Sequence, residues 1–259
     1  MSELETVLVD RADGVVTLTL NRPEKKNAAN RVMWAELRAV FEEVAGSADD
    51  RVLVITGAGG AFCSGADLSD PSELAENGLA RMRRIGATAL ALHRLPKPTI
   101  AKVGGVAAGA GCNMALGCDL VIASEDARFS EIFSQRGLSL DFGGSWLLPR
   151  LIGLHKAKEL AFFADVISAA EAERFGVVNR VVPAGELDKV VDEWAGRLAA
   201  GPPLALSMTK TMLNNSMMVS MDQALEDEAR AQTVNFGTQD FQEAVAAFLQ
   251  KRPPTFQGR

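Results

Sequence analysis

An α/β fold is what the sequence predicts, on three observations. β-branched apolar runs alternate with helix-patterned segments over the first 150 residues, two of those runs empty into glycine-rich loops, and the chain beyond turns helical. Its 259 residues, 47% hydrophobic and 23% charged, suffice for one sizeable core. The first run, Val15-Val16-Thr17-Leu18-Thr19-Leu20, is closed by Asn21-Arg22-Pro23, and Asn30 is placed to cap a helix with Met33, Leu37, Val40, Phe41 and Val44 on its apolar face. A second strand over residues 52–56 leads into the loop GAGGAFCSGADL, residues 57–68. Residues 74–95 read as an Arg-rich helix stopped by Pro96 and Pro98, followed by a third strand over 99–103. That strand also ends in glycines (GGVAAGAGCNMALGC, 104–118), with a helix expected to begin at residue 110 or 111, and Asp119-Leu120-Val121-Ile122-Ala123 returns as a strand.

Farther on, Ser168-Ala169-Ala170-Glu171 has the form of a capping box, Gly176 is placed to end that helix, and Val190, Val191, Trp194 and Leu198 share a helical face. Gly201-Pro202-Pro203 marks a boundary, dividing a core of residues 1–200 from a helical region of residues 201–259. Met208, Met212, Met217, Met218 and Met221 along that region are expected to pack against the core or a sister subunit.

Composition narrows the function classes. The net charge is −6, with Lys and Arg scattered, so neither nucleic acid nor an anionic membrane is an expected partner. The N-terminal residues lack a basic stretch followed by an apolar one, and no segment approaches the length of a membrane span; a cytoplasmic protein is expected. Cys63, Cys112 and Cys118 are odd in number and sit in apolar, glycine-rich surroundings, which suits reduced core residues. With only His93 and His155 besides, no metal site is expected. Both histidines read as surface or capping residues.

The two glycine loops carry the functional reading. A dinucleotide-binding dehydrogenase fits poorly, because a T-G-x-x-x-G-x-G pattern from Thr56 would need glycine at Ala61 and Cys63, and the chain has no tyrosine to act as that family's acid and base. Taken together, the loops suit a different task. Glycines let the backbone approach a ligand, and one N–H from each loop would make an oxyanion hole for a thioester carbonyl on its way to an enolate.

NRPEKKNA, GAFCSGADL, KPTIAKVGGVAAGAGCNMALGCDLVIAS and GLSLDFGGSWLLPRLIG occur in that order and spacing, and AAEAERFGVVNRVVP and KRPPTFQGR follow. Over nearly its whole length the chain thereby resembles the enoyl-CoA hydratase/isomerase (crotonase) superfamily. The resemblance implies a crotonase (ClpP-like) fold, a spiral of ββα units with a C-terminal helical trimerisation region, and a homotrimer or dimer of trimers. It implies an acyl-CoA substrate, with coenzyme A entering as part of that substrate and no other cofactor. The oxyanion donors map to Ala66 and Ala110, the latter following Gly109. Lys26 and Ala28 fall where the family lines the nucleotide end of CoA, and Ser64, Asp67 and Leu68 flank the adenine and pantetheine path.

The same resemblance leaves the reaction open. Hydratases of the family use two glutamates, at the positions of Asn113 and Phe133, and neither residue here transfers a proton. Asp141 stands where dienoyl-CoA isomerases, the ring-epoxide isomerase of phenylacetate breakdown and a chlorobenzoyl-CoA dehalogenase carry a functional aspartate, and Ser145-Trp146-Leu147-Leu148-Pro149-Arg150 most resembles the phenylacetate-pathway isomerases. The expectation is double-bond isomerisation with Asp141 as acid and base, its pKa raised by Phe133 and Phe142. The alternatives are an enoyl-CoA hydratase of fatty-acid β-oxidation, a dehalogenase-like attack by Asp141, a lapsed acyl-CoA-binding homologue, or an Asp141 that merely caps the turn before Gly143. Glu131 reads as a solvated loop acid, although strand alternation would put it on the face of Phe133. Asn113 reads equally as a substrate ligand or a structural amide, Asp119 as a turn-fixing residue, and Lys251 and Arg252 as a solvated helix end. The acyl pocket is expected around residues 70–90.

Overall fold

The computed structural model describes residues 4–69 and 77–259. The chain begins with β1 (Val7–Ala12), β2 (Val15–Leu20), α1 (Arg31–Gly46), β3 (Val52–Gly57) and α2 (Gly78–His93). It continues through β4 (Thr99–Val103), β5 (Val106–Ala108), α3 (Ala110–Leu116), β6 (Leu120–Ser124), β7 (Arg128–Ser130), α4 (Gly144–Ile152) and α5 (Leu154–Phe163). Then come β8 (Ile167–Ser168), α6 (Ala169–Phe175), β9 (Arg180–Val182), α7 (Leu187–Ala199), α8 (Pro203–Asn215), α9 (Met221–Phe236) and α10 (Gln239–Gln250).

Two sheets share these strands. The larger has the order β1-β2-β3-β4-β6-β9, parallel from β2 onward, and the smaller has the order β5-β7-β8. Successive strands step from the large sheet to the small one, β4 to β5 and β6 to β7, before a helix returns, which is the expected ββα spiral. Each central strand is buried on both faces, and its period of two divides its side chains between two cores. Leu53 and Ile55 join the main core with α1, while Val52 and Val54 face α7 through Val190 and Val191.

Local chemistry sets the helix ends much as the sequence suggests. The Asn30 carboxamide oxygen accepts the Met33 N–H at 2.9 Å, Ser168 and Glu171 form the full capping box, and Gly176 closes α6 in the left-handed region at φ 86°. The Arg-rich helix is shorter than expected. It starts at Gly78, because Asn77 accepts the N–H groups of Leu79 and Ala80; residues 74–76 lie outside the described residues, as does the part of the expected acyl pocket over 70–76. Strands β5, β7, β8 and β9 have only two or three residues each, too few for a periodicity to register.

The helical C-terminal region docks through α8. Lys210 pairs with Asp119 at 2.8 Å and donates to the Lys97 carbonyl at 3.0 Å. Asp119 also accepts both the N–H and the hydroxyl of Thr99, so it ties the start of β6 to that of β4 as expected of a turn-fixing residue. Met208 and Met212 are half-buried on this seam, whereas Met217, Met218 and Met221 are 66%, 58% and 75% exposed. Arg252 is held by Glu243, and no helix among the described residues is long and apolar enough to cross a membrane.

Candidate active site

The seven-residue helix α3 is the hub on which the site is built. Its second residue, Gly111, packs so tightly on the first glycine loop that an added Cβ would lie 2.3 Å from the Cys63 carbonyl oxygen. A parallel bridge between Ala29 and Ala66 fixes the far side of that loop: Ala29 donates to Gly65 at 2.8 Å and accepts from Asp67 at 2.9 Å. In such a bridge the intervening residue turns its own N–H away from the partner strand. Ala66 therefore presents its N–H on the side opposite Ala29. Gly65, at φ 105°, brings the loop against the second one; a Cβ there would lie 3.0 Å from the Ala108 carbonyl oxygen and 3.8 Å from the Ala110 nitrogen. Ala110 is the first residue of α3, so it has no acceptor within the helix, and neither its N–H nor that of Ala66 has an acceptor among the described residues.

Asp141 is attached to the same helix through its backbone. The Asn113 amide donates to the Asp141 carbonyl oxygen at 3.0 Å, and the Gly144 N–H donates to that carbonyl at 2.9 Å. The carboxylate itself accepts no hydrogen bond among the described residues, and its Oδ1 is buried. It caps nothing; the turn before Gly143 closes through main-chain bonds alone. Burial raises its pKa to about 6, the direction expected from its apolar neighbours. Its charge also reaches Cys63 of the first loop, whose thiol burial pushes up to about 11. Phe142 follows at φ 46°, a left-handed conformation uncommon for a bulky residue, and holds it by burying its ring 5.5 Å from that of Trp34.

Glu131 corrects the sequence reading. It is 3% exposed rather than solvated, because the chain turns after β7: Phe133 donates back to the Glu131 carbonyl at 2.7 Å, and both side chains go inward. The Asn113 amide reaches its Oε2 at 3.3 Å and the Cys112 thiol donates to it. Burial lifts its pKa to about 7, against those two hydrogen bonds, with the nearby Asp141 charge adding to the rise. Asn113 is thus a structural amide. Gly144 presses on it so closely that a Cβ would meet the amide at 2.3 Å.

The remaining candidates lie on the first loop, on the segment before α1 and beside the start of α3. Phe133 is buried with its ring edge 3.7 Å from where a Gly109 side chain would stand, so it flanks the start of α3. Lys26 sits in a left-handed turn at φ 50° and accepts the Ser64 N–H through its carbonyl, while the Ser64 hydroxyl donates to the Lys25 carbonyl. Ala28 is buried, its carbonyl accepting from Arg22, and Leu68 is exposed. Asp67 is committed to the scaffold: Arg22 holds one oxygen at 2.9 Å, and Ser69 donates its N–H and hydroxyl to the other at 3.0 and 2.6 Å. Burial opposes ionisation of Asp67, but the two Ser69 bonds and then Arg22 outweigh it, and the pKa falls.

A cavity of about 860 Å³ opens between α2, α4 and α8, lined among others by Leu90, Phe142, Gly143 and Lys210. Asp141, Ala66 and Ala110 do not line it, although Phe142, the neighbour of Asp141 in the chain, does. Against expectation, His93 faces this cavity half-buried, its ring edge-on to Trp146 with centroids 5.1 Å apart, and its pKa is lowered by burial and then by Lys210. His155 is exposed at the start of α5. All three cysteines are free and buried.

A ββα spiral whose glycine loops meet at one short helix is the architecture of crotonase-fold enzymes acting on acyl-CoA. The chain belongs to the enoyl-CoA hydratase/isomerase family, whose sequence profile matches residues 10–259. It is 39% identical over 261 residues to the 1,2-epoxyphenylacetyl-CoA isomerase of Escherichia coli K12, covering 99% of this chain and all of that one. To the short-chain-enoyl-CoA hydratase of Clostridium acetobutylicum it is 36% identical over 255 residues, covering 96% and 97%. The crystal structure of an enoyl-CoA hydratase from Bacillus anthracis superposes with a TM-score of 0.94 at 33% identity, covering 98% of this chain and all of that one. The protein is an acyl-CoA enzyme of this family.

Proposed function

We propose that the protein shifts a double bond in an enoyl-CoA, with Asp141 moving the proton and the N–H groups of Ala66 and Ala110 holding the enolate oxygen. The observation that carries this reading is the Asp141 carboxylate, half-buried with Oδ1 shut from solvent, without a hydrogen-bond donor among the described residues, and with a pKa raised to about 6 that suits a base at neutral pH. One such group suffices: it takes a proton from one carbon, the enolate forms, and the same acid returns the proton to another. Two N–H groups stabilise the oxyanion in between, each worth on the order of 3 kcal/mol. The likeness to an epoxyphenylacetyl-CoA isomerase supports isomerase chemistry of some kind.

Hydration is the second reading, and Glu131 favours it by adding a second buried carboxyl near Asp141. Crotonyl-CoA, a 3-enoyl-CoA and a dienoyl-CoA, each incubated with the protein and with Asp141→Asn, decide between them. Conversion of a 3-enoyl-CoA or dienoyl-CoA that is lost in the variant is expected; fast crotonyl-CoA hydration that survives Asp141→Asn overturns the reading. The remaining family residues, Lys26, Ala28, Ser64, Asp67, Leu68, Gly109 and Phe133, are proposed to line the CoA path. A cytoplasmic homotrimer, or a dimer of trimers, is proposed on the apolar side chains of Met217, Met218, Met221, Phe236 and Phe248 left uncovered in one chain.

A further inference from the structure

Asp141 stands at the head of a strained turn over residues 141–144. Its carbonyl accepts the Gly144 N–H at 2.9 Å, and the two residues between, Phe142 at φ 46° and Gly143 at φ 84°, ψ 2°, both have left-handed φ. A type I′ turn demands positive φ at both central positions and favours Asn, Asp or Gly at the first, so Phe142 is held there against its own preference. Something outside the turn has to hold it. Burial of the Phe142 ring against that of Trp34 is one hold. Asn113 is the other: its side-chain nitrogen donates to the same Asp141 carbonyl at 3.0 Å, and it lies so close under Gly144 that a Cβ there would meet it at 2.3 Å.

Only one orientation of that amide suits the place. The Asn113 nitrogen has two hydrogens and two acceptors, the Asp141 carbonyl and, at 3.3 Å, Glu131 Oε2, whereas its Oδ1 is buried without a partner. Reversal would set that oxygen against two others. Glu131 decides the direction, because it supplies the second acceptor on the nitrogen's side, and it is itself fixed. It is 3% exposed, its carbonyl accepts the Phe133 N–H at 2.7 Å, and its carboxyl accepts from the Cys112 thiol. The Gly109 N–H ties the preceding residue, Ser130, to the start of α3 at 2.9 Å. We propose that Asn113 is a positioning residue for Asp141, its amide turned toward the Asp141 carbonyl by Glu131. The proposal rests on the reading of Asp141 as the acid and base. It requires a donor at 113 and an acceptor at 131, and it requires no charge at either.

Amide hydrogen exchange of the full-length protein, read at Gly144 by NMR, tests the hold without any substrate, because that N–H closes the turn. Asn113→Leu keeps the volume and loses the donor; it is expected to speed Gly144 exchange about tenfold or more while the amides of α1 exchange as in wild type. Glu131→Leu is expected to speed it as well, and Glu131→Gln, which keeps an acceptor oxygen, is expected not to. Gly144 exchange at the wild-type rate in Asn113→Leu, or equal effects of the two Glu131 variants, overturns the proposal; the Glu131 pair decides even where Asn113→Leu fails to fold. In turnover of a 3-enoyl-CoA, Asn113→Leu is expected to lower kcat about 10- to 100-fold with KM unchanged, the loss that a displacement of about 1 Å brings. In the Asp141→Asn background the same substitution is expected to change nothing further, and an equal loss in both backgrounds overturns the proposal, since the amide would then act other than through Asp141. The two readings fail separately. If Gly144 exchange responds and Asp141→Asn still isomerises at the wild-type rate, the isomerase mechanism falls while the hold on the turn stands; if Asp141→Asn is inactive and Gly144 exchange ignores Asn113→Leu, the reverse holds.

Discussion

Asp67 and Asp141 carry the same side chain and are separated mainly by the company each keeps. The first loop surrounds its aspartate with Arg22 and Ser69, which fill both oxygens and pull the pKa down; the turn before α4 surrounds its aspartate with Phe142 and leaves the carboxylate bare, so burial drives the pKa up. Burial with partners builds a scaffold. Burial without them stores a reactive group, because the charged form gains stability only when something else arrives to meet it.

That contrast is open to attack at three points. The largest effect is expected on rate: Asp141→Asn lowers kcat for isomerisation by about 10²- to 10⁴-fold, with KM little changed, in steady-state assays. Asp67→Asn is expected to act on stability instead, costing about 2 kcal/mol in urea unfolding at pH 7, less than a fully buried pair because Arg22 retains some solvent contact and the Ala28 carbonyl. A kcat loss in Asp67→Asn as large as that in Asp141→Asn would erase the distinction.

The smallest effect is in the pH dependence of stability, where the two acids have opposite signs. Asp67 has a lowered folded pKa, so its contribution is present above its unfolded value and is lost as pH falls through the folded one. Asp141 has a raised pKa, so its contribution is full below 3.8 and is lost as pH rises through about 6. Asp141→Asn is therefore expected to be the more stable protein at pH 8, by about 1–2 kcal/mol, and no more stable than wild type at pH 3.5. Denaturant midpoints at the two pH values check this, and a variant less stable than wild type at pH 8 would contradict the buried-anion picture.

Much of this was legible in the sequence. Helix caps at Asn30 and Ser168 and the glycine loops are local signals, written in a few adjacent residues, whereas Asp141 drew notice only through the resemblance to family members that carry a functional aspartate there. Glu131 was misread for a physical reason. Alternation does put 131 on the face of Phe133, and both are buried; the solvated reading came instead from the usual cost of burying a lone acid, which the Asn113 amide and the Cys112 thiol offset here. Its flanks, Phe129, Ile132 and Phe133, were the signal that an acid here would be enclosed. Nor does composition reveal that Asn113 joins residues 131 and 141, since that depends on two long-range turns meeting at α3.

The contact between Gly144 and the Asn113 amide bears on ancestry. A glutamate at position 113, as in the two-glutamate hydratases, would bring its longer side chain and its charge into a space bounded by Gly144, by Glu131 and by a carbonyl oxygen that needs a donor. For a lineage, exchanging this amide for a glutamate would strip the Asp141 carbonyl of its donor and set a charge beside Glu131, so the surroundings built here favour the amide at 113.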